Sequence, residues 1–214
     1  MIGLRLTVPI ACWRKGQARE LLETEPLPPP STCYGALLSL VGEEDPEAHR
    51  GCRVTAGLMN EPPRSLVLRT LWQIKDRKPQ QGVGSNAGPD LQQLLSQAEL
   101  VLWCDSGGEH AAQTLESRVA QTLRAPATIE RFGGWSLGES THLVNDAWIL
   151  AAAHPPGLCR AFLLDPDGDL TLPVWVDHVG SRGTRHAVGK MVSLDVAPPA
   201  ARLPQIPLSV SDAG

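Results

Sequence analysis

The 214-residue chain has no apolar run of membrane-spanning length, no C-x-x-C pair, no Walker-type lysine loop, and few aromatic residues, among them a single tyrosine. A helix needs about 20 mostly apolar residues to cross a bilayer, so no membrane partner is expected. The start Met1-Ile2-Gly3-Leu4-Arg5 lacks a secretory pattern, and a cytoplasmic location follows as an expectation. Five scattered cysteines, odd in number, fit reduced and packed thiols and argue against zinc; no metal and no cofactor is expected. Nor is there an excess of positive charge: the net charge of −4 excludes general adhesion to polyanions.

The charge that is present is grouped. Basic residues gather at Arg14-Lys15 with Arg19, at Lys75-Arg77-Lys78 and at Arg182-Arg185-His186-Lys190, acidic ones at Glu43-Glu44-Asp45-Glu47 and Asp165-Asp167-Asp169. Such segregation permits a basic groove on an acidic body, although charge groups also arise as plain solvated surface.

Leu4, Leu6, Val8 and Ile10 alternate with Arg5, Thr7 and Pro9, so residues 2–12 are expected to form a strand. Pro28-Pro29-Pro30 cannot continue a helix, whereas Ser31 or Thr32 can cap a new one. Ala36-Leu37-Leu38-Leu40-Val41 would give that helix a buried side and Gly42 its end. Its amide end, beside Tyr34 and Gly35, is a candidate anion site, and an ordinary capped core helix accounts for the same pattern. Strands are expected over 53–58 and 66–74. Residues 75–90 lack apolar periodicity and are rich in glycine and proline, the mark of a functional or disordered loop. A short helix over 89–97, a strand over 100–104, a helix over 110–123 and a strand over 128–132 follow. Residues 144–153 fit either strand or helix. Strands over 161–164 and 170–176 are expected to form a hairpin around Asp165-Pro166-Asp167-Gly168, ahead of a strand through Asp195 and an irregular proline-rich tail. The order strand, helix, strand, strand, helix, strand is that of a ferredoxin-like α+β domain.

Gly134-Trp135-Ser136-Leu137-Gly138 spells a nucleophile elbow, with Asp146 and His154 following in hydrolase order. That motif has meaning only between a parallel strand and a helix, which the pattern does not supply. Asp165-Pro166-Asp167-Gly168-Asp169 opens like a calcium loop but lacks the closing glutamate. Gly180, Gly183 and Gly189 with Arg182, Arg185, His186 and Lys190 suit a nucleic-acid backbone better than a nucleotide, with a surface hairpin as the alternative.

Pro28 to Leu40, followed by Ala56-Gly57-Leu58, resembles the N-terminal signature of the CRISPR-associated Cas family five. Gly134 to Ser140 and Leu172-Pro173-Val174-Trp175-Val176-Asp177-His178 are similar to the DevS-type branch of type I-B systems, and the resemblance spans residues 1–195. It implies a ferredoxin-like (RRM-like) palm of the RAMP superfamily with a projecting thumb and additional C-terminal strands. The expected division is a palm over 1–135 with the thumb near 72–91, a β-rich extension over 136–197 and a tail over 198–214. It further implies a Cascade subunit that caps the 5′ handle of the CRISPR RNA, touches the large subunit and the terminal backbone subunit, and serves target DNA indirectly. The RNA contacts expected on this basis are Arg14, Lys15, Ser31, Thr32, Tyr34, Gly35, Arg77, Lys78, Arg131, Gly138, Ser140, Arg182, Arg185, His186 and Lys190. Tyr34 would offer a ring for a base, and Arg182 with Arg185 would outweigh Lys75 with Lys78. A related branch cleaves precursor RNA with a tyrosine, a lysine and a histidine. The adjacent lysine and histidine are absent here, since His110 follows Glu109 and His186 follows Arg185. No catalytic residue is therefore expected, with a metal-independent endoribonuclease as the alternative.

Overall fold

The computed structural model describes residues 1–16, 18, 21–72, 87–177 and 182–208. In chain order they form β1 (Ile2–Ala11), β2 (Leu21–Leu22), α1 (Pro30–Val41), β3 (Arg53–Leu58), β4 (Arg64–Trp72), β5 (Ala87–Asp105), α2 (Leu115–Arg124), β6 (Asp146–Ile149), β7 (Cys159–Leu164), β8 (Leu170–Trp175) and β9 (Arg185–Leu194). One sheet runs in the order β6-β1-β5-β3-β7-β9-β8, with β2 and β4 joined to β5 outside that path. Among the described residues, only the two-residue β2 pairs in parallel.

The period-two pattern of β1 sends Leu4, Leu6 and Val8 onto one face, where they meet Leu37 and Leu40 of α1 and Leu115 and Val119 of α2 in the main core. The opposite face carries a smaller core of Val101, Trp103, Ala161, Leu163 and Leu203. Both helices thus lie on one side of the sheet, and the sheet curls until β8 also touches α1. The second helix starts at Leu115, five residues later than the expected His110, and is capped by Thr114, whose hydroxyl accepts from the Ser117 amide at 3.3 Å.

Three expectations need correction. The helix over 89–97 is the first half of β5. Leu91, Leu94, Leu95 and Ala98 have helical spacing, but pairing with β4 from Arg64↔Leu95 to Trp72↔Ala87 outweighs that local preference. The strand turns at Gln97 (φ 55°), where Asn60 bonds both the Gln97 carbonyl (2.7 Å) and the Glu99 amide (3.0 Å), so the β4–β5 hairpin is a distinct arm on the central sheet. Residues 73–86, with Lys75, Arg77 and Lys78, lie outside the described residues. No hairpin joins β7 to β8, because β9 pairs with both and lies between them. The stretch 128–132 is no strand: a 3-10 turn at Pro126–Thr128 leads into an exposed segment.

The tail is ordered by contacts rather than by long elements. Leu203 and Ile206 are buried, Val54 donates to the Pro204 carbonyl (2.9 Å), and Gly51 and Ile206 tie the tail to the start of β3. Among the described residues, no helix is long and apolar enough to cross a membrane.

Candidate nucleic-acid interface

α1 begins at Pro30, with Pro29 as its N-cap and no side-chain cap, so the capping role expected of Ser31 or Thr32 is not taken up. Proline at the first position lacks an N–H in any case. The first helical amide to find a carbonyl is that of Cys33, to Pro29 at 3.0 Å. The Ser31 and Thr32 amides point out of the helix start with no acceptor among the described residues, and both residues are half-buried. At the other end Gly42 (φ 69°) closes the helix as expected, its amide reaching the Leu38 and Ser39 carbonyls.

Two hollows meet at this helix start and share Ser31, Thr32 and Val176. One, of about 410 Å³, is walled by Tyr34, Gly35, Ser136, Gly138 and Trp175. The other, of about 710 Å³, holds Arg14, Lys15, Gly16, Glu25, Thr184 and His186. Together they form one groove between α1 and β8, because the sheet curls round the helix. Its charge is mixed: Arg14, Lys15 and His186 face Glu25 and Asp177, and burial raises the Glu25 carboxyl above its ordinary range against the pull of Lys15.

The groove brings together Arg14, Lys15, Ser31, Thr32, Tyr34, Gly35, Gly138 and His186. Arg182 and Arg185 are exposed but line neither hollow, and Arg185 bonds the Arg182 and Thr184 carbonyls. Lys190 is paired with Asp165 at 2.7 Å, Ser140 is exposed outside the groove, and Arg131 lies in a shallower hollow along α1. The stacking role expected of Tyr34 does not fit its position. Its ring is 3 % exposed and tilts against Trp175 at 6.5 Å between centroids, its hydroxyl donates to the Pro46 carbonyl (2.8 Å), and burial raises its pKa. The Arg50 guanidinium also lies over the Trp175 ring, 3.9 Å from its centroid. The elbow pattern is also excluded, since Ser136 sits in a short bridge to Leu143 with neither a strand before it nor a helix after it.

One wall is held by a polar network that sequence reasoning missed. His142, buried in the loop after Gly138, accepts from the Cys12 and Glu139 amides through Nδ1, both at 3.3 Å. Its proton therefore sits on Nε2, facing Glu139. Glu139 in turn accepts from Arg69 of β4 and Gln92 of β5, both at 2.7 Å, so the loop is tied to the base of the arm. Burial pushes the Glu139 carboxyl up, but the bonds from Arg69 and Gln92 outweigh it and the net pKa is lowered; burial lowers that of His142. A depressed carboxyl stabilises the fold above its unfolded value and loses that contribution as pH falls through the folded one. A depressed histidine likewise favours the fold above about pH 6.5 and opposes it below. Both act in one direction, so the urea midpoint should fall from pH 7 to pH 4, and His142→Asn should flatten the part nearest pH 6. A wild-type midpoint that holds or rises on acidification would refute this.

No family model matches the chain. It is 60 % identical over 210 residues to the CRISPR-associated protein Cas5 of Myxococcus xanthus (strain DK1622), with 98 % of each chain covered. Among solved structures, a chain of a CRISPR RNA-guided surveillance complex shares the fold at a TM-score of 0.61 and 14 % identity, over 94 % of this chain and 92 % of that one. A crystal structure of a Cas protein superposes at 0.49 and 15 % identity, over 95 % and 97 %.

Proposed function

Since the chain belongs to the CRISPR-associated Cas5 family, we propose that it is a Cascade subunit, of the DevS-type I-B branch, that holds the 5′ handle of the CRISPR RNA in the groove at the start of α1. In this reading it contacts the large subunit and the terminal backbone subunit and serves target DNA indirectly. The order β6-β1-β5-β3, with α1 and α2 in the two crossovers, supports a ferredoxin-like RAMP palm, and the β4–β5 arm corresponds to the thumb.

The observation that carries the proposal is the pair of unpartnered amides at Ser31 and Thr32, set between two hollows with Arg14, Lys15 and His186 alongside. Amide donors at a helix start favour phosphate oxygens, and arginine and lysine add charge that salt screens. Gly35, where a Cβ would meet nothing within 4 Å, leaves room for a close sugar–phosphate backbone. The reading is noncatalytic: the single tyrosine is buried with its hydroxyl engaged, which leaves His186 in the groove without a phenolic partner.

The test is anisotropy titration of a handle oligonucleotide across a salt series. Arg14→Ala with Lys15→Ala should weaken binding about tenfold and reduce the salt slope by about 1 to 1.5, as expected for two lost phosphate contacts on a single strand. Arg182→Ala with Arg185→Ala should cost less, because neither lines the groove. A larger loss from the second pair would move the site to the glycine–arginine edge. Cleavage of repeat RNA that disappears in His186→Ala would favour the endoribonuclease instead.

A further inference from the structure

Phe132 is 97 % exposed, the most exposed large apolar side chain among the described residues. Its position is imposed from both sides. Before it, the Glu130 backbone lies against Gly42, where a Cβ would overlap the Glu130 carbonyl oxygen. After it, Trp135 is 8 % exposed and donates through Nε1 to the Ala36 carbonyl at 2.8 Å. Between these anchors Gly133 turns the chain (φ 75°), and a Cβ on Gly134 would come within 2.8 Å of Leu143. Residues 131–133 are thus a short tip pinned at both ends to α1, with its ring turned to solvent. A ring held out in this way contributes nothing to the core and is open to a partner.

The surroundings decide what kind of partner. Phe132 shares a hollow of about 250 Å³ with Arg131, Gly35, Glu43, Glu44 and Pro46. Asp45 follows directly in the chain, and Glu130 is exposed beside it. Arg118 neutralises Glu43, whereas Glu44 and Glu130 have no ion-pair partner among the described residues, so Arg131 is outnumbered. Phosphates would be repelled here, while a protein surface with basic side chains would be attracted. We infer that Phe132 and its acidic collar form a docking tip for a protein subunit of the complex, one that offers an apolar pocket rimmed by lysine or arginine. The inference rests on the assembly reading above but assigns a surface away from the Ser31 and Thr32 amides, on the far side of Gly35, which borders both hollows: this tip takes protein and the amide end takes RNA.

Because Phe132 is exposed, replacing it leaves the fold intact, which keeps the test clean. The chain is co-expressed with the remaining subunits of its complex, and its occupancy in the assembly is measured by native mass spectrometry while its concentration is varied. Handle affinity of the isolated chain is measured in parallel. Phe132→Ala should raise the concentration for half occupancy at least tenfold, the scale of a buried aromatic anchor, and change handle affinity less than twofold. Phe132→Leu should recover part of the loss. Glu44→Lys with Glu130→Lys should weaken assembly and reverse its salt dependence. Unchanged occupancy in Phe132→Ala overturns the inference, as does a drop in handle affinity with occupancy preserved, which would make the ring a base platform. A wild-type chain that enters no assembly overturns it too, whereas failure of the groove reading registers only in the handle titration.

Discussion

Glu109→Ala should lower the folding free energy by about 3 kcal/mol in urea denaturation, with no residue of the groove touched. The Glu109 side chain is fully buried and His49 is 2 % exposed. Glu109 accepts from His49 Nδ1 and from the first amide of α2, that of Leu115, at 3.0 and 3.1 Å. Arg118 donates to His49 Nε2 (2.9 Å), to Glu43 and to the Val41 carbonyl (3.1 Å). Because Arg118 only donates, His49 accepts at Nε2 and donates from Nδ1. The chain Glu109–His49–Arg118–Glu43 thereby joins the end of α1 to the start of α2. Alanine strands the histidine N–H and the Leu115 amide in a dry site, and that asymmetry makes the loss large. Glu109→Gln keeps an acceptor and should cost about half as much. A loss below about 1 kcal/mol for the alanine variant would mean the network is solvated and the helices are held by apolar packing alone.

Trp135→Ala should cost about 3 to 5 kcal/mol, as for other buried aromatic truncations. The indole lies in the main core and its N–H is bonded to Ala36, so truncation both empties space and frees a helix carbonyl. It should also weaken handle binding several-fold, because Ser136 and Gly138 form one groove wall. Trp135→Phe separates the two effects: the loss should shrink to about 1 to 2 kcal/mol with binding largely kept. Full stability with abolished binding would instead place Trp135 in direct contact with RNA.

The sequence made some of this architecture legible and hid the rest for identifiable reasons. β1 stood out because Leu4, Leu6 and Val8 alternate with polar neighbours on a half-buried face, and Gly42 because only a helix end needs it after such an apolar run. The arm was misread because its leucines have helical spacing and its strand character comes from partners some 25 residues away in sequence. Arg14, Lys15 and Ser31 stood out as a basic pair and a helix start, yet their meeting depends on β8, which no local pattern places beside α1. Tyr34 was expected to face a ligand, and its burial follows from the contact with Trp175, 141 positions later. Glu109 and Phe132 carry no motif, and Glu139, although inside the stretch Gly134 to Ser140, shows nothing there of its bonds to Arg69 and Gln92. Each acts through neighbours contributed by other elements, so nothing short of the folded chain marks them.

The closing of the sheet around α1 bears on how the molecule is made. The helix is synthesised well before its second wall at Leu172, Val174 and Trp175 and before the segment at Pro204 and Ile206 that fastens β3 at Val54 and Gly51. A nascent chain can form β1, α1 and β3 yet cannot complete the groove until β8 has been made. A product truncated before residue 170 would lack that wall and expose the apolar flank of α1 to the cell's quality control.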